Sequence, residues 1–135
     1  MITEDYVSFE TAKLLKENGF GGECMSMYLT PKPHSGMGNP NEAKIAPHGR
    51  DSHYYDGYLY QCEAPTLQMA MKWLREEHKL YINIWADPKD AENDNFDIIF
   101  RAQVYNGTSN YGTYEFSTYE HACDASIKYC LEKLI

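Results

Sequence analysis

Imidazole and carboxylate are the side chains here best suited to hold a metal ion. Of the five histidines, His34, His48 and His53 lie close together in the chain with Asp51 beside them. Zinc takes such ligands, so this stretch is where a metal- or ligand-binding protein, or an enzyme built on one, would place its site. The spacing does not support it. No H-x-x-x-H or C-x-x-C pattern imposes ligand geometry, and a loop would have to fold around the ion. His34, His48, Asp51 and His53 therefore stand as metal candidates without a motif, and solvated loop histidines are the simpler reading. His78 ends a helical pattern, where the dipole favours a cation, and His121 falls on a helix surface. No cofactor is implied.

The other reactive residue types lead to the same place. Cys123 and Cys130 sit seven residues apart on one helix face that also carries Ile127, which is the pattern of core packing. Cys24 and Cys62 fall on two expected strands that can be neighbours, a redox pair that nothing else supports. A nucleophilic thiol needs a base beside it, and no spacing supplies one. Asp90, Glu92 and Asp94 resemble the start of a calcium loop, but Asn95 replaces the required glycine and Arg101 the closing glutamate. Phosphate-binding loops, G-x-S-x-G elbows and dinucleotide fingerprints are absent from the sequence.

Tyrosine is the compositional oddity, with 12 residues. Tyr54, Tyr55, Tyr58 and Tyr60 form one cluster; Tyr105, Tyr111 and Tyr114 form another. Strands favour tyrosine, so a sheet surface accounts for both. The functional alternative is an interaction face, because tyrosine covers a large area at low entropic cost.

Composition bounds the remaining choices. At 135 residues with 43% hydrophobic content, the chain suits one domain, residues 1–135, with a sizeable core. A net charge of −8 speaks against direct nucleic-acid binding, which needs clustered Lys and Arg, and suits a basic protein partner. No apolar run is long enough to span a bilayer, and the acidic start MITEDYVSFE lacks the features of a secretory signal. The expectation is a cytoplasmic protein with no membrane contact and reduced thiols. Asn106-Gly107-Thr108 then reads as a turn, not a glycosylation acceptor.

The elements that would position these residues can be read from periodicity. Ser8 caps a first helix whose inward side is Phe9, Ala12, Leu15 and Leu14, and Gly19 ends it. Cys24–Thr30 reads as a strand with Met25, Met27 and Leu29 on one face. A long irregular loop follows at about 31–53, dense in Pro, Gly and Asn. Tyr54–Glu63 returns as a strand with Tyr58, Tyr60 and Cys62 on one side. Pro65 and Thr66 open the central helix, whose stripe is Leu67, Ala70, Met71 and Leu74. From Leu80 to Ala86 the period drops to two residues, marking a strand. Phe96–Tyr105 and Tyr111–Phe116 form a hairpin. Ser117 and Glu120 make a capping box for the last helix, with Tyr119, Cys123, Ser126, Ile127, Cys130 and Leu134 facing inward.

The expected class is α+β: a leading helix, then two strand-strand-helix units. An antiparallel sheet of about five strands would carry its helices mainly on one face. YLYQCEAPTLQMAMKWL and YGTYEFSTYEHACDASI echo each other faintly as strand, cap and helix.

Three stretches taken together, YVSFETAKLLKENGF, APTLQMAMKWLREEHKLYI and STYEHACDASIKYCLEKLI, resemble a group of short uncharacterised proteins from gut Bacteroidales genomes, prophages and mobile elements. The resemblance implies a cytoplasmic bacterial or phage accessory protein and carries no functional residues over. The leading expectation is a non-enzymatic module that binds another protein. Its rivals are a small metal- or ligand-binding protein or enzyme using the histidine loop, an acidic inhibitor of a nucleic-acid-binding enzyme, and self-association.

Overall fold

The structure, a computed structural model, describes residues 3–89, 97–112 and 114–135. It is α+β, as the periodicities indicate, and the strand pairing is antiparallel. Its strands are divided between a sheet of three and a sheet of four instead of lying in a single sheet of about five. The chain forms two compact units: Tyr6–Thr66, and Met1–Asp5 with Leu67–Ile135. No described helix is long and apolar enough to cross a membrane.

In the Tyr6–Thr66 unit, α1 (Phe9–Glu17) begins at the expected cap, where the Ser8 side chain accepts from the Thr11 N–H at 3.2 Å. It ends through Gly19 at φ +91°. Gly19 N–H donates to Lys16 O at 3.2 Å and Phe20 N–H to Leu15 O at 2.9 Å. These are the paired bonds of a Schellman stop, which only a residue at ease with positive φ can make. Thr11, Ala12 and Leu15 are the buried side. The three-stranded sheet runs β2–β1–β3, with β1 at Ser26–Pro31, β2 at Lys44–Pro47 and β3 at Tyr58–Glu63. β1 is buried along its whole length because both faces are covered. Tyr28 packs on Phe9 at 5.2 Å between rings and donates its hydroxyl to Val7 O. On the other side Met27, Leu29 and Ala46 cluster under Tyr55 and Tyr58.

Three expectations for this unit are corrected. Met25 does not share the buried face of Met27 and Leu29; it precedes the strand and is 83% exposed. Residues 31–53 are not one irregular loop, since they hold β2, whose Ala46 opposes Met27. A four-residue edge strand ending in proline gives no alternation to read. Tyr60 and Cys62 do not share a side. The ladder slips between Tyr28↔Cys62 and Leu29↔Tyr60, which makes Gln61 the extra residue of a bulge and turns its neighbours to opposite faces.

The second unit carries α2 (Leu67–His78), whose buried stripe is the expected Leu67, Ala70, Met71 and Leu74. The helix starts at Leu67, so Pro65 and Thr66 lie before it, and its first N–H is taken by Asp5 O at 2.9 Å. Lys79 then adopts φ +55° and the Leu80 N–H closes the end on Leu74 O at 3.1 Å. β4 (Tyr81–Pro88) pairs with β5 (Ile98–Tyr105) along its full length, from Tyr81↔Tyr105 to Pro88↔Ile98. Phe96 and the calcium-like residues Asp90, Glu92, Asp94 and Asn95 lie outside the described residues. The Asn106 side chain accepts from Thr108 N–H at 3.0 Å and Ser109 N–H at 2.8 Å, which makes the expected turn.

The return strand is where expectation and structure differ most. It is broken into β6 (Asn110–Tyr111) and β7 (Glu115–Phe116), which pair with opposite ends of β5. α3 (Tyr119–Tyr129) is capped by Thr118 instead of Ser117, with its side chain accepting from His121 N–H at 3.1 Å. It runs into a π-helical turn, Cys130–Leu134. Ala122, Cys123, Ser126, Ile127, Cys130 and Leu131 are buried. Tyr119, expected inward, is instead 37% exposed, and Leu134 is only partly buried. α2 and α3 pack on each other and on the sheet. β3 and α2 belong to different units, while β7 and α3 share one, so the sequence echo does not extend to the packing.

Candidate functional site

A cleft opens in the second unit where β6 and β7 are separated. Val104 of β5 opposes Tyr111, and Phe100 opposes Phe116. Between these two pairings Ala102 has no strand opposite it on that side among the described residues. Gly112, at φ +72°, turns the chain out of the ladder at this point. A Cβ there would come within 3.3 Å of the Tyr114 ring, so the turn and the seating of Tyr114 both favour glycine.

The resulting cleft, about 300 Å³, is walled by Ala102, Val104, Tyr111, Gly112, Tyr114, Phe116, Ala125, Ser126 and Tyr129. The helix contributes residues at the i, i+1 and i+4 positions, and two of them, Ala125 and Ser126, are small enough to leave the floor open. Aromatic rings make the rim. Tyr111 and Tyr129 stand 6.4 Å apart at 48°, and Tyr114 is 64% exposed. Among the described residues no lining side chain carries a charge. Ser126, 6% exposed, is among the lining residues and donates its hydroxyl to Ala122 O at 2.7 Å. Tyr111 Oη lies 3.3 Å from Asn106 Nδ2 and accepts from it.

Of the second tyrosine cluster, Tyr111 and Tyr114 therefore share this site. Tyr105 does not: it opposes Asn110, one residue out of phase with Tyr111, and so faces the other side of the sheet beside Tyr81, with ring centres 6.5 Å apart. Its hydroxyl donates to Gly107 O at 2.8 Å.

The first cluster is split by packing and by the bulge. Tyr55 and Tyr58 lie against the Met27 cluster, Tyr55 donating to Pro47 O at 2.6 Å and Tyr58 lying under Lys44 Nζ at 4.0 Å. Tyr54 is exposed, edge-on to Tyr55 at 5.1 Å. Tyr60, 51% exposed, donates to Glu63 at 2.9 Å. Burial and that bond push its phenol up to about 12.

The histidine loop does not converge. His48 Nε2 sits 2.9 Å from both Glu63 oxygens, whereas His53 pairs with Asp56 at 3.1 Å. The Asp51 side chain caps a short 3-10 turn by accepting from His53 N–H at 2.9 Å. His34 stands exposed at φ +62°. Among the described residues no three His, Cys, Asp or Glu side chains are grouped to hold a metal. A second cleft of about 220 Å³, bordered by Lys16, Phe20, Tyr60 and Glu63, has its polar groups already joined: Lys16 donates to Gln61 O at 2.8 Å, and Glu63 holds Tyr60 and His48.

All four cysteines are free thiols, and each is held above its ordinary value. Burial raises Cys123 and Cys24 to about 11 and Cys130 to about 12; Glu63 adds to the effect at Cys24. Burial likewise raises Cys62, against the pull of Lys16 and Lys13. A thiol held this way is protonated at neutral pH and is a poor nucleophile.

Comparison with protein-family models, with curated proteins and with solved structures finds no match to this chain.

Proposed function

We propose that this chain is a non-enzymatic bacterial or phage accessory module that binds another protein, seating one apolar side chain of its partner in the Tyr111–Tyr129 cleft. The uncharged, ring-walled cavity carries the reading. Interfaces draw their energy from aromatic anchors in desolvated pockets, and this pocket has the lining and size of a receptacle for one. The net charge of −8 suits a partner with basic residues around the anchor. The cysteines, held protonated, offer no nucleophile, which weighs against an enzyme reading built on them.

The acidic-inhibitor alternative needs free carboxylates on one face. Six of the 20 acidic residues, Asp56, Glu63, Glu76, Asp87, Glu115 and Glu132, stand within ion-pair distance of basic side chains and are less available for such a contact.

The test is affinity capture from nuclease-treated host lysate with the wild type and with Ala125→Phe, which fills the cleft floor. A stoichiometric partner held by the wild type and lost by a variant of unchanged circular dichroism is the expected result. Equal capture by both proteins refutes the cleft as the contact. Capture of nothing, with light scattering showing a dimer, refutes the partner and points to self-association.

A further inference from the structure

β4 presents a long, regular strand edge that nothing in the described residues pairs with, on the side of β5 away from β6 and β7. We propose that two copies of this chain join through β4, antiparallel and centred on Ile84, to make one continuous sheet.

The other sheet edges are guarded. β2 is four residues long and ends in Pro47. β3 bulges at Gln61, whose carbonyl accepts from Lys16 Nζ at 2.8 Å. β6 and β7 have two residues each. Shortness, proline, a bulge and a lysine are the usual devices that block an edge. β4 instead runs for eight residues in unbroken register with β5. Its only charged side chain, Asp87, is held by Arg101 at 2.8 Å.

The phase of the ladder fixes which backbone groups face outward. Lys89 N–H donates to Asp97 O in the same register, so the odd-numbered residues of β4 commit their N–H and C=O groups to β5. Asn106 N–H donates to Ser109 O, which turns the even-numbered residues of β5 toward β6 and agrees with that phase. The N–H and C=O groups of Ile82, Ile84 and Ala86 therefore point away from β5, and no bond to another described residue takes them. The row is closed at both ends. Leu80 gives its N–H to Leu74 O at 3.1 Å, and Pro88 has none to give.

These stops select both the occupant and the register. About a two-fold axis at Ile84, Ile84 faces Ile84 of the second copy and Ile82 faces its Ala86, each pair exchanging both N–H···O bonds. An axis at Asn83 would set Ala86 against Leu80, whose N–H is committed; an axis at Trp85 would set Ile82 against Pro88. The side chains agree with the Ile84 axis. One face carries Ile84 on Ile84 and the large Ile82 on the small Ala86, all apolar. The other carries Asn83 on Trp85 and Tyr81 on Asp87, with no like charges opposed.

The test is sedimentation equilibrium of the full chain over a range of concentrations, with backbone amide exchange read at Ile82, Ile84 and Ala86. A monomer–dimer equilibrium is expected, with exchange at the three amides slowing as dimer forms. Ala86→Pro deletes a donor that the single copy does not use, at an exposed edge position where proline is tolerated. By symmetry it removes two bonds, so dimerisation should weaken about 30-fold. Cross-linking in oxidised glutathione tests the register without relying on that variant. Ile84→Cys sets its Cα atoms about 5.5 Å apart across the axis, within disulfide reach, whereas Ile82→Cys leaves them more than about 12 Å apart. Ile84→Cys should cross-link, and Ile82→Cys should match the wild type.

Monomer at every concentration, with unslowed exchange at the three amides, would overturn the pairing. A dimer of unchanged strength in a folded Ala86→Pro, or equal cross-linking at 82 and 84, would overturn this interface. Exchange slowed only in a complex captured from lysate would overturn the second copy and assign the edge to a partner's strand. None of these outcomes depends on whether Ala125→Phe loses capture, so the cleft and the edge fail separately.

Discussion

Leu74→Ala tests whether α2 is packed as described. Leu74 is 0% exposed and belongs to the stripe Leu67, Ala70, Met71 and Leu74 that α2 buries. The substitution removes three carbons, and at about 0.8 kcal/mol each the lost transfer energy is about 2.4 kcal/mol. A residual void of about 50–100 Å³ adds about 1.2–2.4 kcal/mol at roughly 24 cal/mol per Å³. The expected loss is therefore about 3.5–5 kcal/mol, falling toward 2.5 if α3 settles into the space. Urea unfolding followed by circular dichroism measures it, provided the slope with denaturant matches the wild type, so that the midpoint alone carries the change. Lys72→Ala is the control. Its side chain is 64% exposed and its Glu76 partner lies 3.9 Å away, so the change should stay within about 0.5 kcal/mol. A Leu74→Ala loss below about 1 kcal/mol, or one equal to that of Lys72→Ala, would refute the placement of this helix face.

Two further outcomes are expected. Lys79 holds φ +55° at the end of α2, a conformation that costs a side-chain-bearing residue about 1–2 kcal/mol; Lys79→Gly should raise stability by about 0.5–1 kcal/mol after the added backbone entropy, as read in the same unfolding assay. The thiols should make the fold alkali-sensitive. Cys123 and Cys130 ionise only near 11 and 12 when folded, above an unfolded thiol, so between about pH 9 and 12 the unfolded chain binds fewer protons. Their contribution is fully present below that window and declines as pH rises through it. Measured stability should fall across it, and both thiols should resist iodoacetamide at pH 8 while the native state holds; rapid native-state labelling would contradict this.

The candidate site was half legible. Tyr111 and Tyr114 stand out in the sequence because tyrosine is conspicuous. Ala102, Ala125 and Ser126 do not, since a small residue announces nothing until its neighbours show what space it leaves. Tyr129 reads as one more helix residue. Tyr105 stands apart for a definite reason: adjacent strand residues point to opposite faces, and a cluster counted along the chain ignores that parity. The loop histidines stay apart for another reason. Short pairings, His48 with Glu63 and His53 with Asp56, satisfied each ring locally, and proximity in sequence did not become proximity in space.

The local elements follow from the order of residues along the chain. The Ser8 cap, the Gly19 stop and the Leu67–Leu74 stripe are set by backbone hydrogen bonds and side-chain period within a few residues, which the chain order contains. The division into two sheets, the bulge at Gln61, the strand at Lys44–Pro47 and the separation of β6 from β7 come from long-range pairing instead. Each of these depends on which residue stands opposite which across a ladder. That pairing is fixed by long-range packing, and a shift of one residue exchanges the faces of every side chain beyond it. The cleft is made by such a break, so it belongs to the fold and not to any motif.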